Sequence, residues 1–290
     1  MLRKYANFCY DLAGSFILPY VDVFEGLRPQ ITKADIEVSL PEYVSMMFAT
    51  AGFVSLFITL VVGTMLLLSQ GISGILVAMT FAVISGAATI VGFYIYPSLI
   101  KSSRASKIQD SLPFATMYLS TLAGTGTALP EIFANLSDVD EYGEVAREAE
   151  KIDRDIKTFG MDASKAIQRA AERTPSEDFR ELMWGMNHVL TTGGTMRDFL
   201  QQRASSLMDE YKRRVEEFAD TLSLLVEMYI TVVIVGSIVF TSMSAVMTTF
   251  TQLSPSVIVT IQLLLIFFGL PLISGMFILL VQGLSPGGIQ

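Results

Sequence analysis

Four long stretches of this chain carry almost no charge, and they come in two close pairs. Residues 44–68, 75–96 and 257–284 contain no Asp, Glu, Lys or Arg, and residues 222–250 contain only Glu227. An α-helix rises 1.5 Å per residue, so each stretch is long enough to cross about 30 Å of hydrocarbon. Water is absent there, so backbone polar groups must pair within the segment, which makes each stretch a helix. Short turns at 69–74 and 251–256 join the members of each pair. A 290-residue chain that is 51% hydrophobic and only 17% charged does not fit a water-soluble domain. The expected fold class is therefore an all-α integral membrane protein, with four transmembrane helices in two hairpins.

The cations give this layout a direction. Of 20 Lys and Arg residues, Arg3, Lys4, Arg28 and Lys33 precede the first span, and the rest lie between Lys101 and Arg214. Neither inter-span turn holds one. The positive-inside rule then places both termini and the whole middle region in the cytoplasm of a multi-pass cell-membrane protein. The expected domains are a cytoplasmic or interfacial amphipathic segment (1–43), a first transmembrane hairpin (44–100) and a cytoplasmic antiparallel helical bundle (101–221). A second hairpin (222–285) and a short tail (286–290) follow. A net charge of −8 argues against nucleic acid as a partner, since phosphate binding needs a concentrated basic face.

Glycine turns divide the middle region. Gly124 and Gly126, then Gly160, then Gly193 and Gly194 each separate two amphipathic stretches. Asp110-Ser-Leu-Pro113 is expected to open the first helix after a second span ended by Pro97, because proline suits a first turn. Leu129, Ile132, Phe133 and Leu136 mark the next apolar stripe. Residues 144–158 read as an exposed charged helix, with Glu148–Lys151, Glu150–Arg154 and Asp153–Lys157 pairing along its surface. Asp162 is placed to cap the following helix, and Pro175-Ser-Glu-Asp178 to start another. From Phe199 to Leu222 the pattern is unbroken, so one continuous helix is expected to run into the third span.

Smaller expectations concern the membrane segments. Leu12, Phe16 and Tyr20 fall on one side of an interfacial helix. Residues 31–38 read as a second short helix capped by Thr32. Ala78, Ala82 and Gly86 form a small-residue ridge for close packing within the first hairpin. Pro271 is expected to kink the fourth span.

Signals for chemistry are weak. Glu227 is the candidate intramembrane polar site, with reach to the interface as the alternative. Asp138–Gly143 begins like a calcium loop but puts Tyr142 and Ala149 at ligand positions. Gly124-Thr-Gly126 follows no strand and lacks the third glycine of a dinucleotide loop. No Walker sequence is present. His188 and Cys9 have no companions for a metal site or an internal disulfide. We expect no enzyme activity, no cofactor and no metal.

The combination resembles the type II secretion system F domain family, the membrane platforms of type IV filament machines. The resemblance lies in Ser111-Leu-Pro113, the Leu122–Gly126 turn, Phe159-Gly160, Gly193-Gly194 followed by Phe199-Leu200, and the order of spans, over roughly residues 40–285. It implies a platform in the bilayer that couples a hexameric secretion ATPase in the cytoplasm to prepilin-like subunits. The machine would be a type IV pilus, Tad pilus, archaeal flagellum or type II secretion system. Archaeal flagellar versions usually carry two such domains in one longer chain and this sequence shows one, so it looks more like the shorter Tad-type platforms, which work in pairs. The resemblance thus implies a second F-domain protein or a second copy as partner. Glu148, Lys151, Arg154, Arg169, Arg173 and Arg180 are the candidate partner-binding residues on this reading; a merely solvated face is the alternative. A small membrane transporter and a membrane-anchored signalling scaffold remain as alternative functions.

Overall fold

The computed structural model describes residues 9–10, 18–70, 73–250 and 255–284, and it contains no strand among them. Leu12, Phe16 and the tail from Ser285 lie outside the described residues, as do the turn residues 71–72 and 251–254. The chain divides into two units, Met1–Leu200 and Gln201–Gln290.

In the first unit, a 3-10 helix (Leu18–Leu27) leads into α1 (Arg28–Lys33), α2 (Leu40–Gln70) and α3 (Ser73–Gly124). Thr32 does not cap a helix over 31–38. It lies inside α1, and its hydroxyl donates to the Arg28 carbonyl at 3.0 Å. The helix closes because Asp35 adopts φ 58°. That lets Ile36 N–H reach Ile31 O and Asp35 N–H reach Thr32 O, both at 3.2 Å, the paired bonds of a Schellman turn with aspartate in the usual glycine place. Leu27, Ile31, Leu40, Tyr43, Val44 and Met47 then form one buried cluster that fastens this segment to α2.

Helices α2 and α3 pack along the small-residue ridge. Ala78 and Ala82 are buried, and a Cβ on Gly86 would stand 3.7 Å from that of Ser55. The Ser55 hydroxyl donates to the Ala82 carbonyl at 3.1 Å.

Contrary to expectation, the second span does not end at Pro97, and no new helix opens at Asp110. Helix α3 runs through Pro97 and Pro113 for 52 residues. Tertiary packing overrides local propensity here: Ile108, Leu112, Ala115 and Leu119 are buried on both sides of Pro113.

Four shorter helices follow: α4 (Leu129–Ser137), α5 (Glu144–Lys157), α6 (Ala163–Arg173) and α7 (Glu177–Thr192). Helix α4 packs on α5, α6 on α7, and α3 touches α4, α5 and α7. The caps are as the sequence suggests: the Asp162 carboxylate accepts from Ser164 N–H, and the Ser176 hydroxyl accepts from Phe179 N–H. Four alanines on α6 (166, 170, 171 and, beside Asp162, the partly buried 163) let it lie close to Leu182, Met183 and Met186 of α7.

Helix α8 (Met196–Ile230) begins in the first unit and continues in the second, through a π turn (Thr231–Val235) into α9 (Gly236–Phe250). This is the unbroken helix expected from the sequence. Helix α10 (Pro255–Leu264), a second π turn (Leu265–Gly269) and α11 (Leu270–Leu284) complete the second unit. The second π turn lies just before Pro271, where a wider turn absorbs the missing donor and the ring. Tyr229 joins the two spans of this unit, by a 2.8 Å hydrogen bond between its hydroxyl and that of Ser274 and by ring packing on Phe277.

Among the described residues, four helices are long and apolar enough to cross a membrane: Leu40–Thr64, Val77–Gly124, Met196–Met247 and Gln262–Gly283. Their large apolar side chains face outward, among them Phe53, Leu56, Phe267 and Leu279. The protein is thus an all-α multi-pass membrane protein.

Candidate functional site

The feature that stands out in the first unit is a buried ion network. It grows from charged residues that occupy apolar-stripe positions. Arg104 shares the α3 stripe with Ile108, Leu112, Ala115 and Leu119. Glu148 and Asp155 share the α5 stripe with Val145, Ala149 and Ile152. Arg104 Nε lies 2.9 Å from Glu144 Oε2, and its Nη2 lies 3.0 Å from Glu148 Oε1 and 3.7 Å from Asp35. Its Nη1 donates to the Lys33 carbonyl at 2.9 Å. Lys151 Nζ sits 2.6 Å from Asp35 and 3.1 Å from Glu148. From α6, Arg173 reaches Glu148 at 3.1 Å and Asp155 at 2.9 Å, and Arg169 reaches Asp155 at 3.4 Å.

One network therefore ties the segment after α1 to α3, α5 and α6. Burial pushes the Asp35 carboxyl up, but the Lys151 ammonium, with Arg104 and Arg173 behind it, outweighs burial and holds it below the usual carboxylate range. Pairing of this kind offsets the desolvation cost of charges taken out of water.

This geometry corrects the expected exposed charged face. Glu148 is only 1% exposed, and Lys151 and Arg173 are each 17% exposed at the side chain. Of the three pairs expected along α5, Glu148–Lys151 and Asp153–Lys157 form, at 3.1 and 2.9 Å. Arg180 is partly covered. It pairs with Glu177 and donates to the carbonyls of Ala171 and Thr174, which closes the C-terminal end of α6. Arg154 and Arg169 remain on the surface. The sequence reading missed Arg104, Asp35, Glu144 and Asp155. The stripe register was the available signal: a charge at an apolar-face position needs a partner.

The glycine turns play distinct parts. Gly126, Gly160 and Gly193 take positive φ, where a side chain is strained, whereas Gly124 and Gly194 do not. Gly193 ends α7, and Phe199 then folds back onto that helix. A Cβ on Gly185 would stand 2.2 Å from Phe199 Cζ. A Cβ on Gly124 would stand 3.4 Å from Arg197 Nε, so the end of α3 and the start of α8 also meet. Glu227 is exposed on α8, and its carbonyl accepts from the Thr231 hydroxyl at 2.9 Å where the first π turn begins. Among the described residues no ion pair involves Glu227.

In sequence, helices α4–α7 lie between the two pairs of long apolar helices, with no group of metal-ligating residues among the described ones. Residues 115–243 match the family described as type II secretion system (T2SS), protein F. Over 136 residues the chain is 29% identical to an uncharacterized protein of Methanocaldococcus jannaschii and 26% identical to Flagella accessory protein J of the same organism. It is 26% identical over 139 residues to Flagella accessory protein J of Methanococcus voltae. These stretches take up 47–48% of this chain but span only 23–25% of the relatives' own length. No solved structure matches the chain significantly.

Proposed function

We propose that the protein is a membrane platform of a type IV filament or type II secretion-like machine, and that its helical domain faces the cytoplasm and receives a hexameric secretion ATPase. The observation that carries this is the position of the matched domain: residues 115–243 fill the interval between the two pairs of spans and continue into the third. The two relatives named as flagella accessory proteins favour an archaeal-flagellar type of machine. The distribution of cations supports the orientation. On this reading the platform has no chemistry of its own. The ATPase supplies the work, α8 carries movement toward the bilayer, and prepilin-like subunits are the cargo. A second F-domain chain or a second copy completes the platform.

Exposed Arg154 is the best-placed of the candidate cations for a partner, because Lys151, Arg169 and Arg173 pair within the network. The test uses the full chain with Cys9→Ser and Arg154→Cys. A membrane-impermeant thiol reagent should label it only in opened cells, and a photo-crosslinker at the same position should capture the secretion ATPase. Labelling of intact cells would remove the orientation. Normal surface filaments in a strain lacking the protein would remove the function.

A further inference from the structure

A groove of about 900 Å³ opens beside the end of the second span. Its wall is mainly apolar, with Ile36 and Val38 from the segment after α1 and Gly92, Phe93, Tyr96 and Ile100 from α3. Asp35 and Glu37 are its acids, and buried Cys9 packs with Met46, Val38 and Phe93 at this wall. Nothing lies within 4 Å of where a Gly92 Cβ would stand, so the missing side chain leaves this wall open. Tyr94 and Tyr96 are half exposed, as aromatic residues are at a membrane interface. The groove therefore runs from acyl-chain depth to the surface of the bilayer.

Two cations flank its outer end. Lys33 directly precedes Ala34, and Lys101 directly follows Ile100, and both of these neighbours line the groove. Helix α1 packs on α3, which brings the two lysines to one side. Neither forms an ion pair among the described residues. Burial, then the fields of Arg180 and Lys101, push the Lys33 ammonium below its usual range, with Glu177 as the opposing charge. Glu177 is itself paired with Arg180, and Asp35 with Lys151. Glu37 is the remaining acid on the groove's lip.

We propose that this groove holds an acyl chain of one anionic phospholipid, with its phosphate bound by Lys33 and Lys101. A bilayer lipid fits because the apolar wall lies along a span, while Lys33 and Lys101, which form no ion pair among the described residues, stand at its outer end against the single free acid Glu37. Basic pockets at the ends of spans take anionic headgroups for this electrostatic reason.

The test uses the full-length protein in detergent, with native mass spectrometry as the readout. Dioleoyl phosphatidylglycerol should be retained at roughly tenfold lower concentration than dioleoyl phosphatidylcholine. Lys33→Gln with Lys101→Gln should erase that preference, whereas Lys165→Gln with Lys212→Gln should keep it. Gly92→Leu, whose Cβ would meet nothing within 4 Å, places a side chain in the groove and should weaken retention of both lipids. Inorganic phosphate should not displace the lipid. Equal retention of the two lipids, a preference unchanged in the Lys33/Lys101 variant, or lost equally in the control pair, would overturn the proposal. Full retention by Gly92→Leu, or displacement by inorganic phosphate, would do the same. Retention only after residues 1–17 are removed would make the chain's own N-terminal segment the occupant, and would also overturn it.

Discussion

The Tyr43 hydroxyl donates a 2.7 Å hydrogen bond to the Phe93 carbonyl. That carbonyl lies four residues before Pro97, which has no N–H to offer it. Tyr43 is buried, so its hydroxyl supplies from the neighbouring helix the donor that the proline removed. This bond explains how α3 continues past Pro97. Tyr43→Phe should lower stability by about 1–2 kcal/mol, the cost of an unsatisfied buried acceptor. In a Pro97→Ala background the carbonyl regains a helical donor, and the same substitution should cost measurably less. Thermal unfolding of the four proteins in detergent gives the coupling; additive effects would refute the compensation.

The ion network makes a second prediction. Glu148→Gln leaves Arg104, Lys151 and Arg173 facing one another across a site where Glu148 was buried. Removing one partner of a buried pair costs about 3–5 kcal/mol. The loss should therefore far exceed that for Glu25→Gln, whose pair with Arg28 is exposed on both sides and is worth about 0.2–1 kcal/mol. Chemical denaturation of the two variants compares them directly. Similar small losses would show that the network is solvated.

Asp35 gives a pH dependence with a definite sign. Its folded-state carboxyl titrates below the unfolded one, so the folded state binds its proton less readily. The stabilisation is fully present above the ordinary aspartate range and is lost as pH falls through the folded value. Asp35→Asn keeps a residue that tolerates positive φ while removing the charge. The variant should be less stable at neutral pH, and its acid limb should be flatter than that of the parent. Parallel acid limbs in pH-scanned unfolding would show that Asp35 does not titrate with folding.

The parts of this fold that the sequence made legible are those set by local chemistry. Uncharged length marked the spans, Asp162 and Ser176 marked helix starts, and Gly126, Gly160 and Gly193 marked the turns. The errors share one cause, long-range partners. Pro97 reads as a stop because the donor that serves the freed Phe93 carbonyl, Tyr43, is fifty residues from it. Glu148 reads as solvated because i,i+3 pairing with Lys151 accounts for it locally, whereas Arg104 and Arg173 come from other helices. Thr32 reads as a cap because serine, threonine and aspartate at such positions usually are, and the αL aspartate three residues later carries no comparable signal.

Gly185 supplies the last prediction, in which two effects oppose each other. Replacing a mid-helix glycine by alanine gains about 1 kcal/mol of helix propensity. Here the new Cβ would meet three atoms of the Phe199 ring, the nearest at 2.2 Å and the next at 2.7 Å. Relief requires the ring to swing away from α7, and overpacking of that kind costs about 1–3 kcal/mol. Gly185→Ala should therefore be net destabilising in the parent, yet stabilising in a Phe199→Leu background, where the propensity gain is no longer opposed. A sign change across the double-mutant cycle identifies the ring as the obstacle. The same sign in both backgrounds would mean that Phe199 moves freely and does not seat the start of α8 on α7.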